Sequence, residues 1–264
     1  DGDPALCERY AEVLPHLHNL YALYKVLHQA RAARGAIDFD TTETRFKFAP
    51  DGRLEAIVPT VRNDAHRLIE ECMLAANVAT ARHFERKRMP GIYRIHKGPT
   101  PEKLSDLREF LAELALTLGG GDAPSAEDYA KLLTSIRERP DRHMIQTVLL
   151  RSMQQAVYSS ENIGHFGLAF PAYTHFTSPI RRYPDLIVHR IVKHILADGT
   201  PQDLDYSQNE LQAAAEHCSG TERRADEATR DAESWLKCEY MQDKLGAEFD
   251  GTITSVTSFG IFVE

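Results

Sequence analysis

Residues 164–190, GHFGLAFPAYTHFTSPIRRYPDLIVHR, crowd aromatic rings, histidines and two adjacent arginines into one short stretch, and the rest of the chain is read around them. Ser178 and Pro179 predict a helix start. Serine is a preferred cap for the orphan amides of a first turn, and proline is harmless there because its missing N–H has no helical partner. From that point Ile180, Tyr183, Ile187, Ile191, Val192 and Ile195 recur at helical spacing, which predicts a helix over 179–197 with one buried face. Arg181 and Arg182 then fall in its first turn, beside Tyr173–Thr177. Two guanidiniums next to free helix amides attract anions, phosphate above all. The same pair could equally be committed to carboxylates such as Asp185 or Glu222 in a structural network.

Composition narrows the class. The chain has 264 residues, 42% hydrophobic and 27% charged, which suits a soluble fold with one large core, or one domain and a piece of another. No apolar run approaches the roughly 20 residues of a membrane helix. Cys7, Cys72, Cys218 and Cys238 are scattered, without metal-site or disulfide spacing, so reduced thiols and a cytoplasmic location are expected. The formal charge of −8 argues against nucleic-acid binding over the whole surface but allows a local basic channel.

In chain order, residues 8–34 predict a helix kinked at Pro15 and stopped at Gly35, with Leu14, Leu17, Leu20, Tyr21, Tyr24 and Leu27 on one face. Residues 36–40, 44–48 and 53–59 predict strands, the last two joined by the turn at 50–52. Asp38 and Asp40 share one strand face and Phe39 holds the other; the acids suit capping or solvent better than a metal. Asp64 is the expected cap of a helix over 65–88, packed through Leu68, Cys72, Ala75, Ala76 and Ala79. Glu70, Glu71 and Asn77 lie at or near that face and need partners, whether as structural bonds or as site residues. A strand at 92–96, helices at 101–118, 126–138 and 141–157, and a long charged helix at 207–245 anchored by Trp235 and Leu236 complete the pattern. The GGGDAPS run lacks the lysine and hydroxyl of a phosphate loop and reads as a plain connection. Residues 246–264 alternate, are β-branched and resemble the opening strands of a small barrel.

The segments GHFGLAF and YTHFTSPIRRYPDLIVHR, with RNDAHRLIEECMLAAN and TERRADEATRDAESWLKCEYM, resemble the catalytic domain of the ribonuclease II family over nearly the whole chain. The closing DGTITSVTSFGIFV is similar to the start of the OB-fold RNA-binding barrel that follows it in that family. The resemblance implies a mainly helical α+β fold with a small, incomplete sheet, the catalytic-domain part at 1–245 and the barrel strands at 246–264. It implies hydrolysis of single-stranded RNA from the 3′ end to nucleoside 5′-monophosphates, with magnesium. Carried onto this chain, Arg181 or Arg182 stabilises charge on the scissile phosphate, and Phe39 stacks on a base near the 3′ end. Glu71 and Glu222 contact the terminal nucleotide or orient groups around it, holding Arg181 in place, while Tyr173 and His175 line the RNA site.

The family's closely spaced metal-binding aspartates have no counterpart in residues 1–264. Metal-assisted phosphodiester hydrolysis cannot run on an arginine alone. Both ends also read as cut, so the expectation is the C-terminal part of a catalytic domain, inactive without a preceding part of the same protein. A non-catalytic RNA-end-binding or helical interaction module is the alternative.

Overall fold

The computed structural model describes residues 2–39, 44–60, 62–251 and 253–263. It is an α+β fold dominated by helices. The first expected helix is two: α1, Pro4–Arg9, and α2, Leu14–Ala33. Pro15 opens α2 instead of kinking a continuous helix, because the first turn has no hydrogen bond for proline to break. Of α2's expected buried face only Tyr24 is buried, and Leu17, Leu20 and Tyr21 are 50, 39 and 39% exposed. Residues 36–39 form no strand; Ala36 and Ile37 are buried and Ile37 N–H donates to the Gly167 carbonyl at 2.9 Å. Asp40 lies outside the described residues, so the Asp38 and Asp40 pairing stays a sequence expectation.

The hairpin forms as expected, with β1 at Thr44–Phe48 antiparallel to β2 at Leu54–Pro59. Helix α3 is Asp64–Lys87, and its cap is Asn63 rather than Asp64: Asn63 Oδ1 accepts the amides of Ala65 and His66. Its buried stripe is Glu71, Leu74, Asn77, Val78, Ala81 and Phe84, rotated from the expected small-residue face, and Ala75 and Ala79 are exposed. Apolar content alone misplaced that face, since two of the buried positions are polar and internally bonded.

Strand β3, Tyr93–Ile95, pairs with β4, Val157–Ser159, whose first residue was expected to end a helix. Between them come α4, Pro101–Glu113, α5, Ala126–Ser135, and α6, Arg142–Ser152, whose buried leucines, Tyr129, Ile136 and Ile145 make one helical core. The three strand pairs of the described residues are separate two-stranded sheets, not one sheet. Helix α7 is Tyr183–Leu196, four residues later than expected, and Ile180 is fully exposed. Helix α8, Gln208–Gln242, runs as expected and packs along β4, but Trp235 is 65% exposed and anchors nothing. Strands β5, Ile253–Thr257, and β6, Gly260–Val263, form a closing hairpin.

A second core joins α3, α7 and α8 around Phe84, Ile187, Val188, Ile191 and Leu211. Phe84 is its hinge of packing: the ring is wholly buried and leaves room only for a glycine at 91, where a Cβ would lie 2.6 Å from Phe84 Cδ2. Phe84→Ala should therefore cost about 3–5 kcal/mol. Urea unfolding checks this, and an unchanged midpoint would show that α3 and α7 do not depend on that ring.

Candidate RNA-end cleft

The displaced start of α7 is built on a carboxylate. Asp185 is completely buried in the first helical turn, and its Oδ1 accepts the Ser178 amide and Arg182 Nη2, each at 2.8 Å. A negative group there also suits the positive end of the helix. Ser178 thus contributes its backbone, not a side-chain cap: its carbonyl accepts the amides of Arg181 and Arg182 and closes a separate turn. Neither arginine lies inside the helix, and Arg182 occupies the cap position. Arg181 is exposed, and its side chain has no hydrogen bond or ion pair among the described residues. Thr177 Oγ1, Arg182 Nε and Asp185 Oδ2 are buried without hydrogen-bond partners in the described structure.

Arg182 lines a cleft of about 500 Å³ with Tyr173 and His175 on one side and Ile69, Met73 and Asn77 of α3 on the other. Asn77 fixes its shape. Its Nδ2 donates to the Tyr173 hydroxyl at 2.9 Å and its Oδ1 accepts the Phe176 amide at 3.0 Å, which straps residues 173–176 to α3. The Tyr173 ring stacks on Phe170 at 6.1 Å and meets His165 and His175 edge-on. Residues 164–177 form no regular strand. His165 makes only isolated bridges to His96 and Phe170, around a turn at Gly164 whose φ is +81° and where a Cβ would lie 2.9 Å from the Phe170 carbonyl oxygen.

Behind the cleft, Tyr158 lies 2.9 Å from His175 Nδ1. Burial holds the Tyr158 hydroxyl up at about 12 and, with Arg182 and Arg94 nearby, pulls His175 down to about 3. The bond therefore joins a neutral phenol to a neutral imidazole. Arg94 lies over the Tyr158 ring, 4.6 Å from its centre, and donates to Glu222 at 2.5 Å. Glu222 holds Arg94, not Arg181. His165 is likewise pulled down to about 3 by burial and by His96. His96 Nδ1 accepts the Gly167 amide, so its Nε2 carries the proton given to the Gln154 carbonyl at 2.7 Å.

Glu71 does not reach the cleft. It is buried against Arg31, which also donates to Glu70 and Asp38 at 2.9 and 3.2 Å. Glu70 lines the cleft and pairs in addition with Arg62. Arg31, Arg62 and Asp38 face a second cavity, and Phe39 lines that cavity, packed in part against the helical core. The structure brings Tyr173, His175 and Arg182 together and sets Phe39 beyond a wall of ion pairs. The acids beside the cleft do not suit magnesium, since Glu70, Glu71, Asp38, Asp185 and Glu222 each accept from an arginine. Among the described residues no cluster of three or more potential ligands occurs. Sequence reading overlooked Arg94, Tyr158 and Arg31; the lone arginine between Tyr93 and Ile95 of an apolar strand was the available signal for the first.

A family model for the RNB domain matches residues 5–198. The chain belongs to the RNB domain family, as the resemblance of residues 164–190 implied. It is 53% identical over 272 residues to ribonuclease R of Vibrio cholerae serotype O1, covering all of this chain and 33% of that protein. It is 52% identical over 270 residues to ribonuclease R of Escherichia coli K12, covering 99% of this chain and again 33% of the relative. The chain thus spans about a third of the length of the curated relatives it matches. Among solved structures it is similar to the apo form of Mycoplasma genitalium RNase R, with TM-score 0.90 and 30% identity over 95% of this chain and 40% of that one. The complex of the same enzyme with ribose-methylated single-stranded RNA matches with TM-score 0.89 at 30% identity, over the same shares of the two chains.

The buried neutral histidines make stability depend on pH in a defined direction. His165 and His175 bind a proton near 6.5 when unfolded but only near 3 when folded, so the unfolded state takes up more protons between those values. Stability should fall as pH drops through 6.5. His175→Gln should flatten the dependence of melting temperature on pH between about 6.5 and 5, by up to one proton's slope, ~1.4 kcal/mol per pH unit. An identical slope in the variant would mean that His175 is charged in the folded protein.

Proposed function

We propose that this chain supplies the substrate-end half of a hydrolytic exoribonuclease that takes single-stranded RNA from its 3′ end and releases nucleoside 5′-monophosphates. The observation that carries the reading is the cleft of Tyr173, His175 and Arg182, stabilised by Asp185 and Asn77, in a member of the RNB domain family. RNA binding is supported by the similarity to an RNase R complexed with single-stranded RNA. Tyr173 and His175 line the path of the terminal nucleotides. Arg181 is the charge-stabilising residue, because Arg182 is spent on Asp185 whereas Arg181 is uncommitted and near enough to help depress His175. Phe39 stacks on a base reached across the ion-pair wall, Glu71 orients Arg31, and Glu222 orients Arg94 beneath Tyr158.

Magnesium is assigned to carboxylates outside residues 1–264, since the acids beside the cleft, Asp38, Glu70, Glu71, Asp185 and Glu222, are already paired with arginines. Residues 1–245 form the catalytic-domain part and 246–264 the first strands of an OB-fold barrel. The preceding part of the same protein is the partner of the exposed apolar stripe of α2, where Leu17, Leu20 and Tyr21 are 39–50% exposed. The four cysteines are free, which agrees with a cytoplasmic setting. No helix among the described residues is long and apolar enough to cross a membrane.

Single-turnover cleavage and melting, measured on the protein in its natural length, test the assignment. Arg181→Lys should lower the cleavage rate on the order of 100-fold, about 3 kcal/mol of transition-state stabilisation, without moving the melting temperature. Arg182→Lys should lower the melting temperature instead, because Asp185 is completely buried and loses its planar partner. A wild-type rate in Arg181→Lys would remove it from the catalytic role. Residues 1–264 alone should release no mononucleotides from a homopolymer RNA with magnesium; release at the rate of the longer protein would defeat the division proposed.

A further inference from the structure

Residues 173–178 carry one side of the cleft without belonging to a strand, so their backbone is held piece by piece from the elements around it. At the first residues the hold comes from β3 and its approach. The Arg94 amide donates to the Tyr173 carbonyl at 2.9 Å, and the Thr174 hydroxyl donates to the Ile92 carbonyl at 2.5 Å. From Phe176 onward α7 takes over. His189 Nε2 lies 2.8 Å from the Phe176 carbonyl oxygen, and Asp185 Oδ1 accepts the Ser178 amide at 2.8 Å. A carbonyl can only accept, so His189 carries its proton on Nε2.

The two contacts match in spacing. Four residues rise about 6 Å along a helix, and two residues of extended chain span about 6.6 Å. Side chains one turn apart on α7 therefore reach a carbonyl and an amide two residues apart, the imidazole on the first and the carboxylate on the second. The His189 ring also stacks parallel on the Phe176 ring, with centres 4.2 Å apart and planes at 4°, so two contacts orient it. From the other side Asn77 Oδ1 accepts the Phe176 amide at 3.0 Å. Thr177 adds no side-chain bond, since its hydroxyl is buried without a partner among the described residues. The path of the chain from His175 to Ser178 thus rests on Phe176, and His189 is the hold of α7 on that residue.

We propose that His189 is a positioning residue, which fixes the run into the 178–182 turn through the Phe176 carbonyl and so sets the aim of Arg181. The work assigned to Arg181 rests on the exoribonuclease reading above; the grip on Phe176 does not. Loss of the grip leaves the guanidinium charged and present but displaced from the developing charge, which lowers the cleavage rate and leaves RNA affinity unchanged.

Three variants of the protein in its natural length separate donor from ring. His189→Phe keeps the stacking and loses the N–H, His189→Gln keeps an N–H at about the reach of Nε2, and His189→Asn falls one methylene short. Single-turnover cleavage at saturating RNA should be roughly tenfold or more slower in His189→Phe and close to wild type in His189→Gln. Amide hydrogen exchange over residues 176–182 should be faster in the first and restored in the second. If His189→Phe folds poorly, His189→Gln against His189→Asn makes the same comparison, with the asparagine variant slow. In an Arg181→Lys background His189→Phe should add little further loss, because both changes act through one group. Equal rates per folded molecule in all three variants, an equal loss in all three, or a full multiplied loss in the double variant overturns the proposal. Wild-type cleavage in Arg181→Lys, with exchange loosened by phenylalanine and restored by glutamine, removes the catalytic reading of Arg181 and keeps the grip. Slow cleavage in Arg181→Lys, with exchange and rate unchanged in His189→Phe, does the reverse.

Discussion

The cleft exists because one buried carboxylate is satisfied from two sides. Asp185 is removed from water completely, which is tolerable only with strong partners, and it finds them in the Ser178 amide and the Arg182 guanidinium. Those bonds fasten a separate turn at 178–182 onto the head of α7. They also divide the labour of the adjacent arginines. Arg182 becomes part of the scaffold, and Arg181 is carried outward with its donors uncommitted. The apolar face of α7, packed on Phe84 and α8, gives this polar head a rigid base.

The same economy governs α3. Its buried stripe carries Glu71 and Asn77 among Leu74, Val78, Ala81 and Phe84, and both polar groups serve to bind other segments. Glu71 anchors Arg31 of α2, and Asn77 anchors the strapped residues 173–176. A helix with a purely apolar face would pack as tightly but would leave α2 and the cleft wall without a fixed register.

Much of the architecture was legible. The 44–59 hairpin, the positions of α4 and α5, the long α8 and the closing strand pair follow from turn chemistry and periodicity, which are local properties. The misreadings share a cause. Serine followed by proline is a sound helix start until a buried aspartate seven residues later takes the serine amide. Small residues along α3 look like a packing face until polar side chains find partners from distant segments. The helix expected over 141–157 overran the end of α6, and Val157 instead opens a strand that pairs with β3 and places Tyr158 against His175. Of the site, Arg182 with Asp185 could be read from their spacing of three, whereas the Arg94–Glu222 pairing spans 128 residues and has no local signature.

Glu70 couples the two cavities more tightly than their separation suggests. It accepts from Arg31 and Arg62, which face the Phe39 side, while its own side chain lines the Tyr173 side. Burial alone would favour its neutral form, yet the two guanidiniums hold its pKa below the usual carboxylate range. The wall is therefore charged at neutral pH. Any anion drawn toward Arg182 meets a negative group whose charge is already balanced from behind, so repulsion across the cleft is weaker than the carboxylate alone would produce.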